Sequence, residues 1–275
     1  MKRARDRYDL VFSIGQACSC SWALRAAGLQ FASYPFDWVA NVDLVGRSRI
    51  VADDFRDWIV PDRMEIEAGK SSYNCDIYHN RVTGMGFNHD FPKGVPFKES
   101  LPAVLEKYHR RIGRLFADIR RSRRVLIAWV GVPGCGVLPS DHVATCLKTF
   151  RDKFPGVEFR MLVIESEQGV SAKAPRIEEG DGFERLSFDY EDRSKAGSRF
   201  QVKMKLLERV LSRIEAVDYR TPEQKRAYAS TRHSSKNPKY AQYGATTWLG
   251  YVIRRRLVTL RRHFEKRREK SGGRG

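Results

Sequence analysis

Residues 123–164, RRVLIAWVGVPGCGVLPSDHVATCLKTFRDKFPGVEFRMLVI, decide the fold. Arg123 to Val130 is a continuous β-prone run, and Val157 to Ile164 is another. Apolar runs of this length without polar alternation suit strands covered on both faces. Between them the loop GVPGCGVLPSD leads into a helical stretch through His142 to Phe154, with Ser140 or Asp141 placed to cap it. Strand, helix, strand at these lengths is a βαβ unit, which joins parallel strands. The predicted class is α/β, a sheet at least partly parallel with flanking helices in Rossmann-like layers.

Working outward, Leu101 to Arg121 places Leu105, Tyr108, Ile112, Leu115, Phe116 and Ile119 on one helical face. Tyr8 to Ile14 reads as a buried strand ending at Gly15, and Ser19 to Ala27 as a helix with Gly28 at its C-cap. Phe31 to Val39 is predicted as a strand or extended loop, because Pro35 keeps Tyr34 out of helical geometry. Residues 40–100 read as loop-rich. Beyond the βαβ unit, Glu184 to Phe188 reads as a short strand and Phe200 to Val217 as a helix. The predicted organisation is an α/β domain over 1–229, a polar linker over 230–245, and a basic amphipathic helix and tail over 246–275.

Hydrophobic residues make up 41% of the 275 positions and charged ones 31%, a globular composition with no apolar run long enough to span a bilayer. The apolar run before Gly15 is too short for a signal-peptide core. Five irregularly spaced cysteines point to reduced thiols and a cytoplasmic location. The net charge of +18 is unevenly spread. Residues 230–275 hold 13 Lys/Arg against 2 Asp/Glu, and Lys107 to Arg124 holds 8 against one. The basicity is thus a tail and one helix face; with no known DNA- or RNA-binding motif present, this argues against a nucleic-acid partner. His79 follows Cys75 by four with no second pair to complete a metal site, so neither metal nor cofactor is expected.

The segment SIGQACSCSWALRAAGLQFASYPFDWV, residues 13–39, carries the candidate chemistry. A strand ends at Gly15, and Cys18 falls at or just before the first turn of a helix. Unpaired N–H groups and the positive dipole end there favour a thiolate. The same groups, that of Ser19 among them, are placed to receive an oxyanion. A cysteine at the start of a buried helix is more often a small hydrophobe. The loop Gly131 to Val137 aims the backbone around Gly134 and Cys135 at an anion, or merely closes a tight βα turn. In a parallel sheet, Cys18 and Cys135 would share the carboxyl edge of the strands, where ligands bind.

The strand ending Ser13-Ile14-Gly15, Cys18 three residues on, Leu24, Arg25, Gly28 and Leu29 closing the helix, and Pro35-Phe36-Asp37-Trp38 together resemble a bacterial family of papain-like cysteine peptidases of unknown function. Gly86 to Phe91, GFNHDF, resembles that family's His-Asp-Phe block. The resemblance implies Cys18 as nucleophile and His89 as its base, and offers an α+β papain-like fold as the alternative class. His89 itself lies in a loop bracketed by Gly and Pro, and Asp90 beside it is poorly directed to orient it. Asp37, an acid among aromatics, either orients His89 or holds its own loop together. No convincing Asn or Asp follows the histidine, which departs from papain-like enzymes.

The predicted activity is a cysteine-nucleophile hydrolase or acyl transferase acting on an ester, amide or thioester of a small molecule, peptide or glycan. The alternative is a glycan-related accessory protein of cell-envelope polysaccharide synthesis that binds an anionic sugar. Leu249, Ile253, Leu257, Leu260 and Phe264 form one stripe of the C-terminal segment. Trp248 stands near its start, and Arg254, Arg255, Arg261 and Arg262 lie largely off the stripe. That pattern predicts a helix lying on the anionic inner face of a membrane. Each Lys or Arg near such a surface contributes about 1 kcal/mol. The intact chain is expected to sediment with anionic vesicles at moderate salt, and a chain ending near Ser230 to stay folded in the supernatant. An intact chain that ignores the vesicles, or a shortened one that unfolds, places the helix in the core instead.

Overall fold

A computed structural model describes residues 6–72, 74–194 and 202–226. The chain divides into a compact unit, Met1–Asp218, and a second, Tyr219–Gly275, of which residues 219–226 are described. The predicted linker and basic helix, with Trp248, Arg254, Arg255, Arg261 and Arg262, lie outside the described residues. In chain order the first unit runs β1 (Asp6–Tyr8), β2 (Leu10–Ser13), α1 (Cys18–Ala26), a 3-10 turn (Pro35–Trp38), β3 (Val39–Ala40) and α2 (Leu44–Ala52). It continues with β4 (Met64–Ser72), β5 (Cys75–Asn80), β6 (Gly86–Pro92), α3 (Phe97–Arg121), β7 (Arg124–Val130), α4 (Ser140–Lys153) and β8 (Glu158–Ser166). The last elements are β9 (Arg176–Gly180), β10 (Phe183–Phe188), α5 (Met204–Leu211) and β11 (Ile214–Ala216).

This is a mixed α/β protein with parallel and antiparallel sheets. The larger sheet has the order β2-β7-β8-β10-β9, with β2, β7, β8 and β10 parallel and β9 antiparallel at the edge. The smaller is antiparallel, β3-β6-β5-β4. At Asp9 the chain changes partner: β1 pairs in parallel with β11, and β2 with β7. The unbroken apolar run of β7 follows from cover on both sides. Val125, Ile127 and Trp129 join one core with α3 and α4 residues such as Leu115, Ile119, Leu147 and Phe150. Leu126, Ala128 and Val130 join a second core with Ala23 and Leu24 of α1 and Leu207 and Leu211 of α5. Each fully buried large apolar side chain contributes roughly 1.5–3 kcal/mol.

Several boundaries differ from the sequence reading. Tyr34 is extended as expected, but Pro35–Trp38 forms a 3-10 turn, and the strand is confined to Val39–Ala40. The loop-rich stretch 40–100 contains α2 and the antiparallel sheet. His89 therefore sits on strand β6, not in a loop. Pro139, not Ser140 or Asp141, is the N-cap of α4, and no side chain caps that helix. The predicted helix over 200–217 is α5 followed by a return to strand at β11.

The turn from β2 into α1 is sterically tight. The Ile14 N–H donates to Ala128 O at 3.0 Å, prolonging the parallel pairing to the end of β2. A Cβ on Gly15 would overlap the Cβ of Cys20 and lie 2.8 Å from its sulfur. Gly15→Ala is expected to lower stability by about 1–3 kcal/mol in urea unfolding, as overpacked sites do. Adding Cys20→Ala should not restore it, because alanine keeps the clashing carbon.

Candidate active site around Cys18

Cys18 is the first residue of α1, partly exposed. No side chain caps this helix and no acidic residue sits in its first turn, so its N-terminal N–H groups keep their positive end undiluted. Burial pushes the Cys18 thiol up, and a hydrogen bond from its own backbone N–H works against that rise. The Ser19 hydroxyl is buried, with no hydrogen-bond partner among the described residues. Cys20 is different: it is fully buried, its Sγ donates to Ala128 O at 3.3 Å, and burial pushes its thiol up to about 12. That makes Cys20 a packing residue. Trp22, one turn beyond Cys18 on the same face, is 49% exposed.

The Pro35–Trp38 turn is the common neighbour of α1 and β6. The Ser21 hydroxyl lies between the carbonyls of Cys18 (3.4 Å) and Asp37 (3.0 Å). Trp38 meets the His89 ring edge-on at 6.0 Å between centroids, and the Arg25 guanidinium lies over the same indole. Helix α1, headed by Cys18, and strand β6, which carries His89, thus both pack against the Pro35–Trp38 turn. Burial is the main influence on His89 and lowers its pKa, with Lys107 adding to that and Asp90 opposing it. The Asp90 carboxylate is taken by Lys107 Nζ and, at 2.8 Å, by the Tyr108 hydroxyl.

Asp37 is fully buried. Its carboxylate accepts from Arg25 Nη2 at 2.8 Å, from Gln30 Nε2 at 2.7 and 2.9 Å, and from the Tyr34 N–H at 3.0 Å. Burial raises its pKa, against the pull of Arg25, Gln30 and the Tyr34 amide in the other direction. Tyr34 in turn donates its hydroxyl to Asp118 of α3 at 2.6 Å. Every one of these partners of Asp37 belongs to the chain between Arg25 and Tyr34, the loop it closes.

Gly134 and Cys135 lie in the loop after β7, on the same carboxyl edge of the parallel sheet as Cys18. The two loops touch, since the Val132 N–H donates to Gln16 Oε1 at 2.9 Å. Gly134 has φ +82°, which only glycine adopts without strain. The Cys135 N–H donates to Val132 O at 3.1 Å, closing a turn within the loop. Among the described residues, no three of His, Cys, Asp and Glu cluster as a metal site, and no helix is long and apolar enough to cross a membrane. Sequence reasoning missed Arg47 of α2, whose guanidinium reaches Gln16 O at 3.2 Å.

Fold and site together define a mixed α/β protein with a cysteine heading the helix that follows a parallel strand, and a histidine on the neighbouring antiparallel sheet. A family profile described as "Putative papain-like cysteine peptidase" matches residues 9–169, and the chain belongs to that family. No curated protein matches it. Asp37→Ala strips Arg25, Gln30 and Tyr34 of their shared acceptor, and is expected to cost about 3–5 kcal/mol in urea unfolding. In the milder Asp37→Asn, the His89 ring should titrate within about 0.3 units of its wild-type position by NMR, far less than the loss of an orienting carboxylate produces.

Proposed function

We propose that the protein is a cysteine hydrolase or acyl transferase in which Cys18 attacks an ester, amide or thioester carbonyl and His89 is the base. The observation that supports the reading is Cys18 as the part-exposed first residue of an uncapped helix, one that packs through Ser21 on the turn whose Trp38 meets His89. The layered arrangement of helices on the parallel sheet counts here as Rossmann-like, with the site at its carboxyl edge.

Burial sets the starting charges. It raises the Cys18 thiol and lowers the His89 imidazole, so near neutral pH the resting pair is an uncharged thiol and an uncharged ring. An uncharged imidazole is the form that accepts a proton. As the sulfur bonds to the carbonyl carbon, its proton passes to His89, and the carbonyl oxygen becomes an oxyanion facing the first-turn N–H groups of α1. Collapse breaks the bond to the leaving group, which takes the proton back from His89 and leaves a thioester on Cys18. Water then attacks the thioester with His89 again taking a proton, the C–S bond breaks as that proton passes to the Cys18 sulfur, and the acid is freed; an amine or alcohol in place of water gives transfer. Asp37 belongs to the scaffold of the Arg25–Tyr34 loop in this reading.

Acylation of Cys18 by an activated ester should switch on as pH rises through the His89 ionisation, below the ordinary histidine value, because protonated imidazole cannot act as base. Iodoacetamide needs only thiolate, so its rate should climb at higher pH, beyond the ordinary thiol value. Cys18→Ser should abolish acylation, and His89→Ala should slow it about 10²- to 10⁴-fold. Faster acylation of Cys75 or Cys135 than of Cys18 would remove Cys18 from the role.

A further inference from the structure

Arg47 is the largest fully buried side chain of the described residues, and no carboxylate pairs with it there. Its Nε donates to Val42 O at 3.0 Å, and its Nη2 to Asn41 O at 2.7 Å and Gln16 O at 3.2 Å. Its Nη1 is buried without a partner, and its carbon centre sits 5.5 Å from the Phe36 ring. Asp43, one turn earlier, attracts the guanidinium electrostatically but makes no direct ion pair with it, and a buried cation without a direct partner is a poor device for stability alone, because an apolar side chain of similar volume avoids the desolvation. Its placement therefore calls for another explanation.

That explanation lies in what the three carbonyls belong to. Asn41 and Val42 have φ of 61° and 53°, a left-handed backbone that asparagine tolerates but that is strained for β-branched valine. Gln16 is in the turn between β2 and Cys18. Its carbonyl faces Arg47 while its side chain takes the Val132 N–H, so the residue is gripped from two sides. In a trans peptide the carbonyl and the following N–H point oppositely, so fixing Gln16 O also fixes the direction of the Ala17 N–H and the start of α1. We propose that Arg47 is a positioning residue: by clamping the Gln16 carbonyl to those of Asn41 and Val42, its guanidinium holds the first turn of α1, and with it the Cys18 sulfur, in place. The claim rests on the reading of Cys18 as nucleophile for its chemical consequence, and on geometry alone for the positioning.

The test uses the full chain as wild type, R47K and R47M, with thermal melts to establish folding. Lysine keeps the charge but cannot fork across three carbonyls, and methionine keeps most of the volume without donors. Hydrogen exchange over residues 13–20 is expected to speed up about tenfold or more in R47K, with exchange in α4 unchanged. In the same variant, acylation of Cys18 by p-nitrophenyl acetate, which forms the thioester and releases p-nitrophenolate, should fall about tenfold or more. Alkylation by iodoacetamide, which needs no oxyanion contact, should move less than about threefold, so the ratio of the two rates shifts. A merely structural role would move both rates together. Unchanged exchange in folded R47K, an unchanged ratio, or failure of both variants to fold overturns the proposal. A wild type that is never acylated at Cys18 overturns the nucleophile reading instead, and the exchange measurement then decides for Arg47 alone.

Discussion

The parallel pairing of β2 with β7 is the interaction on which the rest of the structure depends. Its register sets Ser13 level with Ala128, and the Ile14 N–H adds one more bond to the Ala128 carbonyl. The chain must then leave the sheet within the few residues before Cys18, against the backbone of Val130. Cys20 locks the departure: its thiol returns to the same Ala128 carbonyl, and its Cβ occupies the space that any side chain at Gly15 would need. One strand register thus determines where α1 begins and which of two neighbouring thiols is buried. A shift of one residue would exchange the two core faces of β2 and break both cores at once.

Around that turn, neutral charge pairs are concentrated where the loops must not move. Arg25 and Asp37 neutralise each other inside the 25–38 loop, and Lys107 and Asp90 do so between β6 and α3. Both carboxylates are nearly or fully buried, and each is held by hydrogen bonds beyond its ion pair: Gln30 and Tyr34 for Asp37, Tyr108 for Asp90. Additional donors are what make a buried pair tolerable, since Coulomb attraction alone barely offsets desolvation. Asp37 precedes Trp38 and Asp90 follows His89, so the place where those two rings meet is fixed from both sides.

The parts of the fold that were legible in the sequence are those buried on two faces. β7, β8 and α3 carry apolar runs or stripes because both sheet faces or one full helix face are covered, and their composition shows it directly. The start of α1 was legible for a different reason: Gly15, a small-residue turn and a helical repeat from Ser19 onward stand next to each other. The sheet over 64–92 was not legible. β5 is only partly buried over Cys75–His79 and β4 is partly or largely exposed over Met64–Lys70, so neither shows a clean alternation. Gly86 and Pro92, taken as loop punctuation around His89, are the two ends of β6; a Cβ at Gly86 would lie 2.9 Å from the Asn41 side-chain nitrogen. Arg47 was hidden by its own chemistry, since an arginine in a sequence reads as solvated. Its signal was positional: Leu44, Arg47, Ser48 and Val51 are spaced as one helix face, and the outer two are apolar.

The charge distribution is uneven. The basic excess of the chain lies in residues 230–275 and on Lys107 to Arg124, where Arg110, Arg114, Arg120, Arg121 and Arg123 are exposed. The surroundings of α1 and the Pro35–Trp38 turn are built otherwise. Trp22 is exposed one turn along the helix, Trp38 and His89 are partly buried, and the nearby Arg25 is neutralised by Asp37. A neutral, aromatic rim contributes little long-range attraction and therefore little electrostatic steering of an anionic substrate. It does lower the local dielectric, which raises the thiol, lowers the imidazole, and strengthens whatever the N–H groups of α1 contribute when charge develops at a carbonyl. In the proposed mechanism, the burial that keeps the resting thiol protonated also strengthens the N–H groups of the helix terminus, which is why a firmly held first turn would matter more there than a high local charge.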